Sequence, residues 1–151
     1  MSIKSNFLCP VSDRRINERV ARINGIITVL LIVVFVLSRN IIPVVFLAAD
    51  FFLRSFDFSE YSLIAVSSKG IVKYLRLNEN LINAGPKIFA ARIGFVFSSL
   101  IIISILLSSY IPAYSLAGIL GIFSFLEGFF GICVACEIYP FVHRIIYRNL
   151  I

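Results

Sequence analysis

The chain has 151 residues, 60% of them hydrophobic and only 15% charged, with a mean hydropathy of +0.99 and a formal charge of +6. A soluble domain carries about 25% charged and about 45–50% apolar residues, and at this length it buries only about 70% of its chain, so a water-soluble globular fold and a disordered chain are both excluded. What remains is an all-α integral membrane protein, whose basic excess reads as residues flanking membrane spans rather than a nucleic-acid footprint.

The first apolar run, 20–38, follows the basic segment Arg14-Arg15-Ile16-Asn17-Glu18-Arg19, and no small-residue cleavage site comes after it. It therefore reads as a span and not as a signal peptide. The second run, 41–56, is shorter and carries Asp50 and Arg54. A loop at 57–86 follows. Its centre, 61–77, is amphipathic, with Lys69, Lys73 and Arg76 on one helical face, which predicts a short interfacial helix on the inner leaflet. The tract 93–126 contains no charge. As one helix it would reach about 50 Å, against a hydrocarbon core of about 30 Å. Ser108-Ser109-Tyr110-Ile111-Pro112-Ala113-Tyr114 supplies the break. The expectation is a single membrane domain over 1–151 with four transmembrane helices at about 20–38, 41–56, 87–109 and 113–139, and an amphipathic helix between the second and third.

Orientation follows from the cations. With the N-terminus inside, thirteen of the fourteen Lys and Arg residues fall at the cytosolic side and only Arg39 at the other. That asymmetry predicts cytoplasmic N- and C-termini, two very short outer turns and a cytosolic loop at 57–86.

Charges inside apolar runs are costly, so they face the bundle and pair. Asp50 and Arg54 are spaced i,i+4 within one helix. Glu127 and Arg54 fall at similar depth, Arg92 about one turn in from the cytosolic end of the third helix and Arg22 at the edge of the first run, so a polar cluster of Arg22, Asp50, Arg54, Arg92 and Glu127 is expected under the cytosolic surface. It reads either as glue between helices or as an anion, substrate or proton site. In the fourth helix Ala117, Gly121, Ser124, Gly128, Gly131 and Ala135 recur at spacings of three and four, a stripe that admits close packing of another helix or of a second subunit.

The three cysteines are Cys9, followed by Pro10, and the pair Cys133-Val134-Ala135-Cys136. An odd number argues against a secreted disulfide framework. The expected topology brings all three to one membrane face, with the pair at the C-terminal end of the fourth helix, where the dipole opposes a thiolate while nearby arginines favour one. Three readings stay open: thiol redox or sulfur transfer, inert packing in a scaffold or transporter subunit, and a Cys-based metal site that His143 joins at a non-standard spacing. No Gly-rich phosphate loop, Ser/His/Asp arrangement or pair of catalytic carboxylates is defensible from the sequence, no cofactor is expected, and whether the protein is an enzyme stays open.

Cys9-Pro10, Ala49-Asp50-Phe51 with Arg54, the stretch from Gly85-Pro86-Lys87 to Arg92, and Gly131-Ile132-Cys133-Val134-Ala135-Cys136-Glu137-Ile138-Tyr139 together resemble a known group. The chain is similar, over about residues 9–140, to bacterial four-helix membrane proteins classed as a domain of unknown function, which pair an N-terminal Cys-Pro with a C-terminal Cys-x-x-Cys-x-x-Tyr. The resemblance implies a bacterial inner-membrane location, thiol or persulfide chemistry at Cys133, Cys136 and Cys9, and a thioredoxin-like or rhodanese-like partner. Four-helix membrane thiol oxidases that use a quinone also carry a C-x-x-C pair, but theirs faces the exoplasmic side, opposite to the side the charges indicate here.

Overall fold

The computed structural model describes residues 15–56, 61–78, 80–131 and 134–150. The first element is a short strand, β1 (Arg15–Asn17), which leads into helix α1 (Glu18–Ser38); the Asn17 side chain caps α1 by accepting the Arg19 amide at 3.1 Å. The helix ends at Arg39 in the left-handed conformation (φ 53°), whose N–H bonds the Phe35 carbonyl at 2.9 Å. Asn40 then accepts the Ile42 amide at 3.2 Å, and Pro43 falls at the start of α2 (Ile42–Ser55), where its missing N–H costs no helical bond.

Ser62 caps α3 (Leu63–Tyr74) by accepting the Ala65 amide at 3.2 Å. Strand β2 (Leu81–Asn83) pairs antiparallel with β1, Arg15 opposite Asn83 and Asn17 opposite Leu81. This small ribbon, which the all-α expectation omits, clamps the start of α1 to the start of α4 (Ala84–Leu106). A turn at Leu107–Ser109, with Ser108 left-handed (φ 57°), leads into α5 (Tyr110–Phe125). There Pro112 lies in the first turn, a position proline tolerates. α5 continues as a π-helical turn, Leu126–Phe130, and stops at Gly131 (φ 68°), whose N–H bonds the Leu126 carbonyl five residues back. The last helix is α6 (Val134–Leu150).

Among the described residues three helical stretches are long and apolar enough to cross a membrane: Glu18–Ser38, Gly85–Leu106 and Tyr110–Phe130. Helix α2, expected as a fourth, has 14 residues. It rises about 21 Å against a core of about 30 Å, and falls short by length. The helix expected over 113–139 is two helices. The left-handed Gly131 ends the first, and α6, whose polar and apolar residues segregate by face, begins beyond it. Cys136 accordingly belongs to the first turn of α6 rather than to the C-terminal end of a span, which reverses the dipole argument made from sequence.

The core joins α1, α2, α4 and α5 through Ile32, Phe35, Leu47, Phe51, Ile101 and Leu120, with Ala113 and Ala117 fully buried. The outer surface is as apolar as the core, with Leu37 79% and Ile111 84% exposed near the turns. Since lipid is as apolar as leucine, close contact between helices must come from small residues. At Gly25 an added Cβ would stand 2.9 Å from the Ser124 carbonyl and 3.0 Å from the Gly128 nitrogen; at Gly128 it would meet the Ile26 nitrogen at 3.0 Å. The small stripe of α5 thus docks on α1 of the same chain. Gly121 faces Ile32, and the Phe35 ring stacks on Tyr114 at 5.7 Å nearer the far end.

These contacts are backbone against backbone and cannot yield. Gly25→Ala or Gly128→Ala is therefore expected to destabilise the protein in detergent by about 1–3 kcal/mol, read as a lowered midpoint of thermal aggregation. Gly118→Ala, with nothing within 4 Å of the added carbon, should leave the midpoint unchanged.

Candidate functional site

The charged side chains inside the bundle gather at the end that holds the ribbon, α3 and α6, but as separate contacts rather than one cluster. On α2, Arg54 Nη2 meets Asp50 Oδ2 at 2.7 Å, with the aspartate side chain 2% exposed. The guanidinium also lies 4.7 Å over the Phe51 ring, an arrangement that suits a desolvated cation. The other Asp50 oxygen accepts a hydrogen bond from the Ser62 hydroxyl. Ser62 therefore does two things, starting α3 and fastening it to the buried carboxylate. Arg92 on α4 reaches the Ser55 carbonyl through Nε at 3.5 Å, a long contact at the edge of this group.

A second contact, absent from the sequence-derived candidates, joins α3 to α1. The Ser68 hydroxyl bonds Asn24 Oδ1 and also lies 2.8 Å from the Ile64 carbonyl. Both Ser68 and Asn24 are buried. The signal was present in the sequence as an asparagine one turn from Thr28 within an apolar run, and as serines at 62 and 68 on a helix otherwise read for its lysines.

Glu127 pairs with neither Arg54 nor Arg92. Its Oε1 stands 2.5 Å from Lys87 Nζ, joining the π turn after α5 to the first turns of α4. In the sequence Lys87 entered as a topology marker and as part of the Gly85–Arg92 stretch, not as a partner for Glu127. Arg22 bonds Glu18 at 3.0 Å, and the other Glu18 oxygen accepts from Asn80 Nδ2 at 2.6 Å, beside the ribbon. The Arg22 guanidinium also covers Gly131: a Cβ there would fall 2.5 Å from Nη2. Arg22 thus sits at the break that separates α5 from α6.

Cys9 and Cys133 lie outside the described residues, and of Cys136 only its place in α6 is described. Further along α6, Tyr139 packs edge-on against Phe89 of α4 at 5.7 Å, and His143 lies 6.0 Å from the Tyr139 ring. Among the described residues no three His, Cys, Asp or Glu side chains gather as a metal set. Chemically, then, the described contacts offer two partly buried ion pairs, a hydroxyl–amide clasp and a cation over the inter-helix break.

The fold and these contacts define a protein that is overwhelmingly helical and has, among the described residues, three helices long and apolar enough to cross a membrane. Residues 16–144 match the family described as Domain of unknown function (DUF4395), and the chain belongs to that family. The matched segment runs from β1 into α6 and contains Cys133 and Cys136, while Cys9 precedes it. No curated protein and no solved structure matches the chain.

Removing one partner of a buried ion pair strands the other. Asp50→Ala is expected to cost about 3–5 kcal/mol, and the double variant Asp50→Ala with Arg54→Leu to recover most of it. Chemical unfolding in mixed micelles, run as a double-mutant cycle, measures both. Ser62→Ala should cost less, about 1–2 kcal/mol, through the lost cap and the lost bond to Asp50.

Proposed function

We propose that the protein is a polytopic protein of the bacterial inner membrane whose Cys-x-x-Cys pair performs thiol–disulfide exchange or sulfur relay at the cytosolic face. In this reading α2 completes four crossings with both termini in the cytosol, and Cys9 is the resolving thiol. The partner is a thioredoxin-like or rhodanese-like protein.

The observation that carries the reading is the break at Gly131. It sets Cys136 in the first turn of a helix, and Cys133 directly precedes Val134, the residue with which that helix opens. A helix N-terminus and a nearby cation are the two settings that favour a thiolate, and a thiolate is the species that attacks a disulfide. Arg22 supplies the cation, seated over Gly131, which lies two residues ahead of Cys133 in the sequence. Glu137, exposed in the same first turn, works the other way, and Glu18 shares the Arg22 charge. In exchange, one cysteine thiolate attacks a partner disulfide and releases the partner's first thiolate. Cys9 as resolving thiol, or the neighbouring cysteine of the pair, then attacks that mixed disulfide, forms a disulfide within the chain and releases the partner's other thiolate, so two electrons pass to the partner.

Mass spectrometry after alkylation in intact cells tests this directly: a disulfide or persulfide on Cys133 or Cys136 is expected under oxidant or sulfane-sulfur load, and its absence in every redox condition refutes the chemistry. Arg22→Gln is expected to slow alkylation of the pair severalfold at neutral pH without loss of fold. A membrane-impermeant maleimide added to intact cells should leave all three cysteines unlabelled, since labelling of Cys9 or Cys133 from outside reverses the topology. If the cysteines only pack, Cys→Ala at all three positions preserves folding, partners and phenotype.

A further inference from the structure

We propose that α3 and α6 together form a basic collar that docks on the headgroups of anionic phospholipid around one end of the bundle. The proposal rests on the membrane-spanning part of the reading above and is independent of the thiol chemistry.

Both helices are three-sided. On α3, Ile64, Ala65, Ser68 and Val72 are buried and turned to the bundle, where Ser68 holds Asn24 of α1. Opposite them stand Leu63 and Tyr74, 65% and 87% exposed, with Val66 also exposed. Lys69 and Lys73, one turn apart and exposed, form the flank between these faces, and exposed Arg76 follows the helix end in the left-handed conformation (φ 50°). α6 repeats the plan without any sequence similarity. Tyr139 faces the bundle against Phe89; Ile138, Phe141 and Ile145 are exposed on the far side; Arg144 and Arg148 line the flank, with Glu137 two turns before Arg144.

The two helices lie at the same end of the bundle. α3 is fastened to Asp50 near the end of α2 and to Asn24 near the start of α1, and α6 packs on the first turns of α4, which the ribbon ties to α1. An exposed apolar stripe bordered by cations has one environment that satisfies both parts, the boundary where acyl chains meet anionic headgroups. A protein partner would satisfy the stripe, but it would need acidic groups at the matching depth on two separate helices. Within the two helices Lys69, Lys73, Arg144 and Arg148 stand against Glu137, with Arg76 just beyond α3, an excess that favours anionic headgroups.

The test uses the full chain in nanodiscs of phosphatidylcholine mixed with phosphatidylglycerol, with lipid retained after extraction into detergent counted by native mass spectrometry. Phosphatidylglycerol is expected to be enriched on the order of fivefold, and the enrichment to collapse near 1 M salt, where screening acts within about 3 Å. Replacing Lys69, Lys73, Arg144 and Arg148 by Gln should abolish it. The pairwise variants Lys69→Gln/Lys73→Gln and Arg144→Gln/Arg148→Gln should each reduce it, which keeps the test valid if the fourfold variant misfolds. Arg39→Gln, at the opposite end, should leave it unchanged. Equal retention of the two lipids, enrichment that survives the substitutions, or a dimer that buries the stripe without lipid preference overturns the collar. A chain stripped from membranes by alkaline carbonate removes the spanning reading, and the collar with it, while leaving the thiol chemistry to be judged by alkylation.

Discussion

The arrangement of this chain depends on the contact in which Gly25 of α1 and Gly128 after α5 meet with no side chain between them. Lipid supplies no hydrophobic drive toward helix association, so dispersion across a close backbone contact is what holds such a pair. The position of α1 against the π turn in turn decides what lies beside Gly131. With Gly128 against the Arg22 carbonyl and Ile26, the Arg22 side chain one turn earlier covers the point where α5 ends. The break, the cation over it and the start of α6 are thus consequences of one packing contact.

A second constraint, polar rather than steric, holds α3. Each of its two buried hydroxyls reaches a buried acceptor on a different helix, Ser62 to Asp50 and Ser68 to Asn24. In an apolar surrounding such bonds are directional, and leaving either acceptor unmet costs more than the bond itself contributes. They fix both the rotation of α3 and its depth, so its lysines have one place to point. The ion pair Asp50–Arg54 belongs to this fastening: by holding the carboxylate in place, Arg54 presents Ser62 with an oriented acceptor.

What the sequence made legible was whatever has a short period or a large transfer energy. The long apolar runs, the pause at Ser108–Pro112 and the Asp50–Arg54 pair at i,i+4 all follow from spacing along one helix. The stripe of Ala117, Gly121, Ser124 and Gly128 was readable as a packing face, but whether it met α1 or another subunit was not, because the stripe describes only one side of the contact. Glu127 went to Lys87 instead of an arginine since depth along a helix does not specify azimuth, and the π turn shifts the azimuth further. The end of the last span was hidden because Gly131 lies within the small-residue repeat. A glycine that permits close approach and a glycine that adopts φ 68° look alike in a sequence. The ribbon of β1 and β2 escaped notice because three residues on each side are too few for alternation to register.

The charge excess can now be placed. Of the four carboxylates in the described residues, Glu18, Asp50 and Glu127 each sit in an ion pair, taking up Arg22, Arg54 and Lys87. These pairs are the ones near helix–helix contacts, where an uncompensated charge would be most expensive. Much of the remaining cationic charge therefore falls on the exposed flanks of α3 and α6. A segment selected only to label topology could carry its lysines anywhere along a loop. Here they stand beside an apolar stripe on helices whose rotation is fixed from within, by Ser62 and Ser68 in one case and by Tyr139 in the other. Fixing the rotation of a basic helix has a physical consequence only if the charges must meet something at a defined depth, and a headgroup layer is such a thing.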